Sequence, residues 1–423
     1  MADEFQNFIG GKWVPARSGQ TFEDLNPADR DDLVGRFPRS DKADIDGAVA
    51  AAQKAYPEWR RTPPPERGQV ILRAASLLKE RKDELARLMT REMGKVLKEA
   101  GGDVQEAIDM GEFIAGMGRR PFGEAVPSEL RDKISFTWRE PIGVVGCITP
   151  WNFPIAIPSW KLFPALLAGN AVVFKPAEDT PLCALRFVEV LAEAGVPAGV
   201  VNLVHGLGEE AGSALVEHPG VRAISFTGSA EVGRIIAARC GQLLKRVGLE
   251  LGGKNAIVVM DDADIELAVE GAQWAAFGTS GQRCTAASRL IVHERVLADF
   301  SELLRSRAEK MRVGSGLDPE VEMGPVINRK QLERVHSYTE VGVAEKAKLV
   351  TGGRILADAA HASGNFYAPT IGAEIQTPFG GVKNTGNGHR EAGTGALEEF
   401  SEWKSIYVDY SGRLQKAQID TAD

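Results

Sequence analysis

Cysteine is scarce in this chain of 423 residues, and the four present, Cys147, Cys183, Cys240 and Cys284, lie far apart. No Cys-x-x-Cys pair and no histidine cluster stands beside them, which argues against a disulfide framework and against a zinc site; no metal is expected. Blocks of positive charge are also missing. The formal net charge is −8 and basic residues are never denser than the arginine pairs at 60–61 and 119–120, so nucleic acid is not an expected partner. No apolar run reaches the ~18–20 residues of a membrane span, and "MADEFQNFIGGKW" is acidic without the apolar core of a leader. A cytoplasmic protein without membrane contact is therefore expected. Neither an internal repeat nor a low-complexity segment occurs, and the length suggests two or three domains.

The first forty residues alternate short β-like runs with Gly, Pro, Asn and Asp turns. Two stretches with apolar residues at helical spacing follow, "DIDGAVAAAQKAYPEWR" and "PPERGQVILRAASLLKERKDELARLMTREMGK". "DKISFTWRE" alternates as a half-exposed strand does, whereas "PIGVVGCITP" is a continuous apolar run of the kind a buried parallel strand has. From there strands and helices alternate: "AVVFKP", "PLCALRFVEVLAEAG", "VVNLVHG", "EEAGSALVEHP", "AISFTGS", "AEVGRIIAARCG" and "KRVGLELGG". That order predicts an α/β protein with an open, mostly parallel, Rossmann-like sheet whose crevice lies at the carboxyl ends of its strands. A second α/β stretch starts at "NAIVVMDDADIELAVEGAQWAAFGTSGQRC", with a helix after "DDAD" running towards the cysteine.

Several polar residues fall at those strand ends. In "ISFTGSAEVGRII" a tight turn at Gly228 and Ser229 opens a helix, where free N–H groups suit a phosphate, although a lone Gly turn before a helix is usually only a turn. "VVFKPAEDTP" adds Lys175 and Glu178, a cation and carboxylate that could grip ribose hydroxyls or form an ordinary loop pair. "ITPWNFP" holds Asn152 rigidly between two aromatics, as an oxyanion donor or an Asx turn. "LELGGKN" places Glu250 before two glycines, as a working carboxylate or a surface salt bridge. "GQRCTAASRL" leaves Cys284 as a nucleophile or a small core residue.

Together, "PWNFP", "KPAE", "FTGSAEVG", "LELGGKN" and "GQRC", in this order and with thirty-four residues from Glu250 to Cys284, resemble the NAD(P)-dependent aldehyde dehydrogenase superfamily. The resemblance implies a cofactor domain over 1–121 and 143–252, a catalytic domain over 253–394, and β strands at 122–142 and 395–423 through which family members pair into dimers and tetramers. It implies oxidation of an aldehyde to the carboxylic acid with NAD, through a Cys284 thiohemiacetal and thioester. Asn152 and the Cys284 N–H would hold the oxyanion, and Glu250 would be general base for hydrolysis. Lys175 and Glu178 would bind the adenosine ribose and Ser229 the pyrophosphate, with Trp151, Gly228, Gly233 and Leu251 completing the cofactor site. Glu391, after "PFGGVKNTGNGH", corresponds to a carboxylate behind the base, with a structural salt bridge equally open. Glu178 should disfavour the 2′-phosphate of NADP. "NTGNGHREAG" is most similar to members acting on semialdehydes.

The chain also departs from the family near residues 367–376. Members run from a segment like "GNFYAPT" through several tens of residues, including a ribose-clamping Glu-x-Phe-Gly-Pro stretch, to a segment like "APTIGAEIQ". Here "APT" at 368–370 serves both, as though the intervening residues were deleted. The expectation is weakened or absent turnover. Two rivals stand beside it: a dinucleotide-binding relative without activity, and a CoA-acylating enzyme, which Glu250 disfavours because such relatives generally lack the base.

Overall fold

The computed structural model describes residues 3–120, 125–126, 135–136 and 140–373. The β-rich start forms two hairpins, β1 (Asn7–Ile9) with β2 (Lys12–Val14) and β3 (Thr21–Leu25) with β4 (Leu33–Pro38). Helix α1 (Lys42–Trp59) begins where the Asp41 carboxylate accepts from the Ala43 N–H at 2.7 Å. The next helical run is two helices, α2 (Pro64–Glu80) and α3 (Lys82–Met93), and a further one, α4 (Leu97–Met117), follows. Where the sequence predicts two helical stretches, the structure thus has four helices. No Gly or Pro marks the break at Arg81, and glycines at 101, 102, 111 and 116 interrupt the apolar pattern of α4.

A short ladder of β5 (Ala125–Val126) and β6 (Ser135–Phe136) is all that is described of 122–139, and 395–423 lies outside the described residues. Then come β7 (Val144–Ile148), α5 (Ala156–Ala168), β8 (Ala171–Lys175), α6 (Pro181–Glu193) and β9 (Val201–Leu203). "EEAGSALVEHP" is not one helix but a π-helical turn at Gly208–Gly212 running into α7 (Ser213–Glu217), the wide turn being bounded by glycines. β10 (Ala223–Gly228), α8 (Ala230–Gln242) and β11 (Arg246–Leu251) complete the alternation.

These strands form one seven-stranded sheet in the order β11-β10-β7-β8-β9-β1-β2. The first five are parallel, and β1 joins antiparallel through Phe8 opposite Leu203. Chain order runs outward from β7 in both directions, so the switch point lies between β7 and β10. Both central strands, β7 and β8, are buried along their whole length, which explains their unbroken apolar sequence. One buried cluster, with Phe163, Phe174 and Phe187, covers one face, and a second, with Ile45, Val173 and Ile224, covers the other.

The second part is thinner. β12 (Asn255–Val259) pairs in parallel with β13 (Ala287–Val292), with α9 (Ile265–Phe277) between them and α10 (Leu297–Lys310) after them. Val259, Val269, Ala272, Phe300 and Leu304 form its small core. Among the described residues the opposite face of this two-stranded sheet is bare: Val258 and Ile291, which are register partners, are 60% and 56% exposed. Parallel sheets are otherwise covered on both faces. α11 (Arg329–Ala344) and β14 (Lys348–Thr351) follow, and the chain returns antiparallel onto β14 through β15 (Ile371–Ala373). No helix among the described residues is long and apolar enough to cross a membrane.

Candidate active site

Four strands of the main sheet deliver the sequence-predicted residues to one edge. Trp151 and Asn152 follow β7, Lys175 ends β8, Gly228 and Ser229 close β10, and Glu250 and Leu251 end β11. Lys175, 2% exposed, donates from Nζ to Glu178 Oε2 at 2.9 Å, so the buried cation fixes a carboxylate at the rim of the crevice. Ser229 caps α8, its Oγ accepting from Val232 N at 3.2 Å. Gly228 lies opposite Leu251 in the ladder. Gly233 gives close approach: a Cβ there would stand 2.5 Å from Leu251 Cδ2. Trp151 is half-buried against the main apolar cluster.

Cys284 comes from the second part of the chain, on the loop between α9 and β13, and two asparagines fasten it. Asn152 Nδ2 donates to the Gln282 carbonyl at 2.9 Å across 130 residues, while its Oδ1 is buried without a partner. Asn255 Nδ2 donates to the Cys284 carbonyl at 2.7 Å. Gln282 ties the loop to a further segment, accepting from Ile327 N at 3.0 Å. The loop starts in an uncommon conformation, with φ of 52° at Thr279, 56° at Ser280 and 71° at Gly281. Positive φ at a β-branched residue is costly, on the order of 1–3 kcal/mol, and persists only where the surroundings impose it.

Exposure singles out one thiol. Cys147, Cys183 and Cys240 are buried, and burial pushes Cys147 up to about 12 and the other two upward, so all three stay protonated core residues. Cys284 alone among the four is exposed. Glu250 is exposed as well, and its charge reaches Lys161 of α5, whose Nζ donates to Ser225 Oγ at 2.9 Å and whose pKa is lowered by burial. Glu250 precedes by a few residues the Asn255 that holds the thiol's backbone. Glu391 lies outside the described residues. Asn255, Gln282 and Lys161 were not assigned roles from sequence. Asn255 stands inside "LELGGKN" and could have been singled out there; the other two act through partners far along the chain.

Residues 13–377 match the sequence model of the aldehyde dehydrogenase family. The chain belongs to the aldehyde dehydrogenase family. It is 43% identical to the alpha-ketoglutaric semialdehyde dehydrogenase of Bacillus subtilis (strain 168), over 87% of this chain and 75% of that protein. To the 2,5-dioxopentanoate dehydrogenase of Saccharolobus solfataricus it is 37% identical, over 94% of this chain and 98% of the relative. That alignment extends over 471 residues, more than the 423 present here, so several tens of the relative's residues have no counterpart. Among solved structures, betaine aldehyde dehydrogenase from Staphylococcus aureus in complex with NAD+ superposes with a TM-score of 0.86 at 35% identity, over 88% of this chain and 74% of that one. This family member thus has relatives that act on aldehydes and semialdehydes.

Proposed function

We propose that this aldehyde dehydrogenase relative oxidises a semialdehyde or similar aldehyde to the carboxylic acid, with NAD as cofactor and Cys284 as nucleophile. The observation that carries the reading is the convergence of Asn152, from the sheet's switch point, on the loop that presents the one exposed thiol. Cys284 Sγ adds to the carbonyl carbon, and the charge developing on oxygen is met by the second N–H of the Asn152 amide and the Cys284 N–H. Glu250 takes the proton from the water that cleaves the resulting thioester, returning the thiol. A bound nicotinamide supplies the hydride acceptor for the oxidation between those two steps. The residues present fit such a dinucleotide: Glu178 is fixed by Lys175 for ribose hydroxyls, and the first-turn amides of α8 suit a pyrophosphate. Trp151, Gly228, Gly233 and Leu251 shape the same crevice.

A second reading, impaired turnover, is favoured by the bare face of β12 and β13 and by the relative's unmatched residues. Loss of a segment at 368–370 would remove both the cover of that face and the nicotinamide clamp, and misplacement of ~1 Å can cost ~100-fold in rate. The test assays aldehydes by NADH absorbance with this chain and with one carrying a family-like segment between Pro369 and Thr370. Weak activity here and recovery there is expected; equal activity and melting temperature in both would refute the need for the segment. NADH formed equally without and with CoA separates hydrolysis from acylation. Homo-oligomers built through 122–142 and 395–423 in the cytoplasm complete the proposal.

A further inference from the structure

Glu99, in the first turn of α4, is 7% exposed and belongs to a different part of the fold from the thiol. Its Oε1 accepts from the Thr279 N–H at 2.9 Å, and its Oε2 from Thr279 Oγ1 at 3.4 Å, a contact across 180 residues. Thr279 opens the run of positive φ that ends at Gly281, three residues before Cys284. Within the loop the Thr279 carbonyl accepts from Gln282 N at 3.0 Å and from Gln282 Nε2 at 3.3 Å, while its N–H is held by Glu99 from outside the loop. Ser280 Oγ donates to Gly324 O at 2.7 Å, and a cleft of about 570 Å³ lined by Val96, Leu97, Glu99, Trp274 and Gly278 adjoins the residue that precedes Thr279. The Arg283 guanidinium donates to Trp274 O at 2.6 Å and lies against Gly278, from where its charge reaches Glu99. Positive φ at a buried threonine needs directional partners, and the Glu99 carboxylate is the one that holds both its N–H and its hydroxyl.

We propose that Glu99 is a positioning residue for the thiol: its carboxylate holds the Thr279–Ser280–Gly281 arch in its left-handed form and thereby fixes Cys284 relative to Asn152. The inference rests on the nucleophile reading of Cys284 given above. Glutamine can keep the acceptor for the Thr279 N–H, whereas alanine cannot, and glycine at 279 needs no help to hold positive φ. Glu99→Ala should therefore loosen the arch, Glu99→Gln should not, and adding Thr279→Gly to Glu99→Ala should restore part of what was lost.

The test uses two reagents on the full chain. p-Nitrophenyl acetate acylates the thiol: the C–S bond forms, the aryl ester C–O bond breaks, p-nitrophenolate leaves, and the oxyanion donors must be in place. Iodoacetamide alkylates the thiol by displacement of iodide and needs no such donors. Glu99→Ala is expected to slow acylation on the order of tenfold or more, with alkylation changed less than about threefold, and to speed amide hydrogen exchange at Thr279. Glu99→Gln should acylate like the parent, and the double variant should recover. Equal loss in both reactions, unaltered exchange at Thr279, or a Glu99→Gln defect as large as that of alanine overturns the proposal. Should the parent alkylate but not acylate, the nucleophile reading fails instead, and the exchange measurement still decides the role of Glu99.

Discussion

Replacing Asn152 by alanine should separate chemistry from stability, because the two ends of this side chain contribute with opposite sign. Nδ2 donates to the Gln282 carbonyl, a neutral hydrogen bond with a net worth of about 1 kcal/mol. Oδ1 is buried and accepts nothing, which costs about 1–3 kcal/mol that alanine removes. Gln282 is only half-buried, so water can reach the carbonyl left behind. The terms roughly cancel, and the melting temperature should move by no more than about 2 °C. The effect on reaction is different in kind. An amide aimed at a developing oxyanion is worth ~3 kcal/mol of barrier, or roughly 100-fold in rate. Stopped-flow release of p-nitrophenolate reads the acylation step, and differential scanning fluorimetry reads stability. Acylation falling by less than about fivefold, or falling only in step with a large loss of melting temperature, would refute the assignment of Asn152 as a donor.

Three other outcomes follow from the site. Glu250→Gln should still give one NADH per chain on mixing with aldehyde and NAD but stall at the thioester, so that the burst survives while steady turnover is lost; equal loss of both would make Glu250 structural. Glu178→Gln should narrow the preference for NAD over NADP in a binding titration, and a parent that already favours NADP would place the ribose elsewhere. Glu106 tests the body of α4, since burial and the neighbouring Asp103 charge raise its pKa from 4.5 to about 7. The unfolded chain loses this proton first as pH rises, so stability falls between pH 4.5 and 7, by up to about 3 kcal/mol. Glu106→Gln should thus raise the melting temperature at pH 8 and leave it nearly unchanged at pH 4.5; an equal gain at both would assign the effect to packing.

The parallel core was legible in the sequence because strands buried on both faces must be apolar without interruption, as in "VVGCI" of β7 and "AVVFK" of β8. Helix starts were legible where a cap supplies the signal, Ser229 for α8 and Asp264 for α9. The partners of short elements were not: the first forty residues read as short β-like runs, but nothing in the three residues of β1 marks it as the strand that extends the sheet beyond β9. The same limit applies to the site. Strand-end residues declare themselves by position, so Asn152, Lys175 and Glu250 could be singled out. Glu99 could not, because its partner Thr279 lies in a distant loop whose left-handed backbone leaves no mark at a threonine.

Capture of the acyl group is the most direct test of Cys284 as nucleophile. The chain is incubated with NAD and an aldehyde, quenched in acid, digested and mapped by mass spectrometry, beside Cys284→Ala. The expected result is an acyl mass on the peptide containing Cys284, accompanied by NADH formation in the parent and absent from the variant, with dinucleotide binding equal in both. NADH formation that persists in Cys284→Ala, or an acyl group found on any other residue, would contradict it.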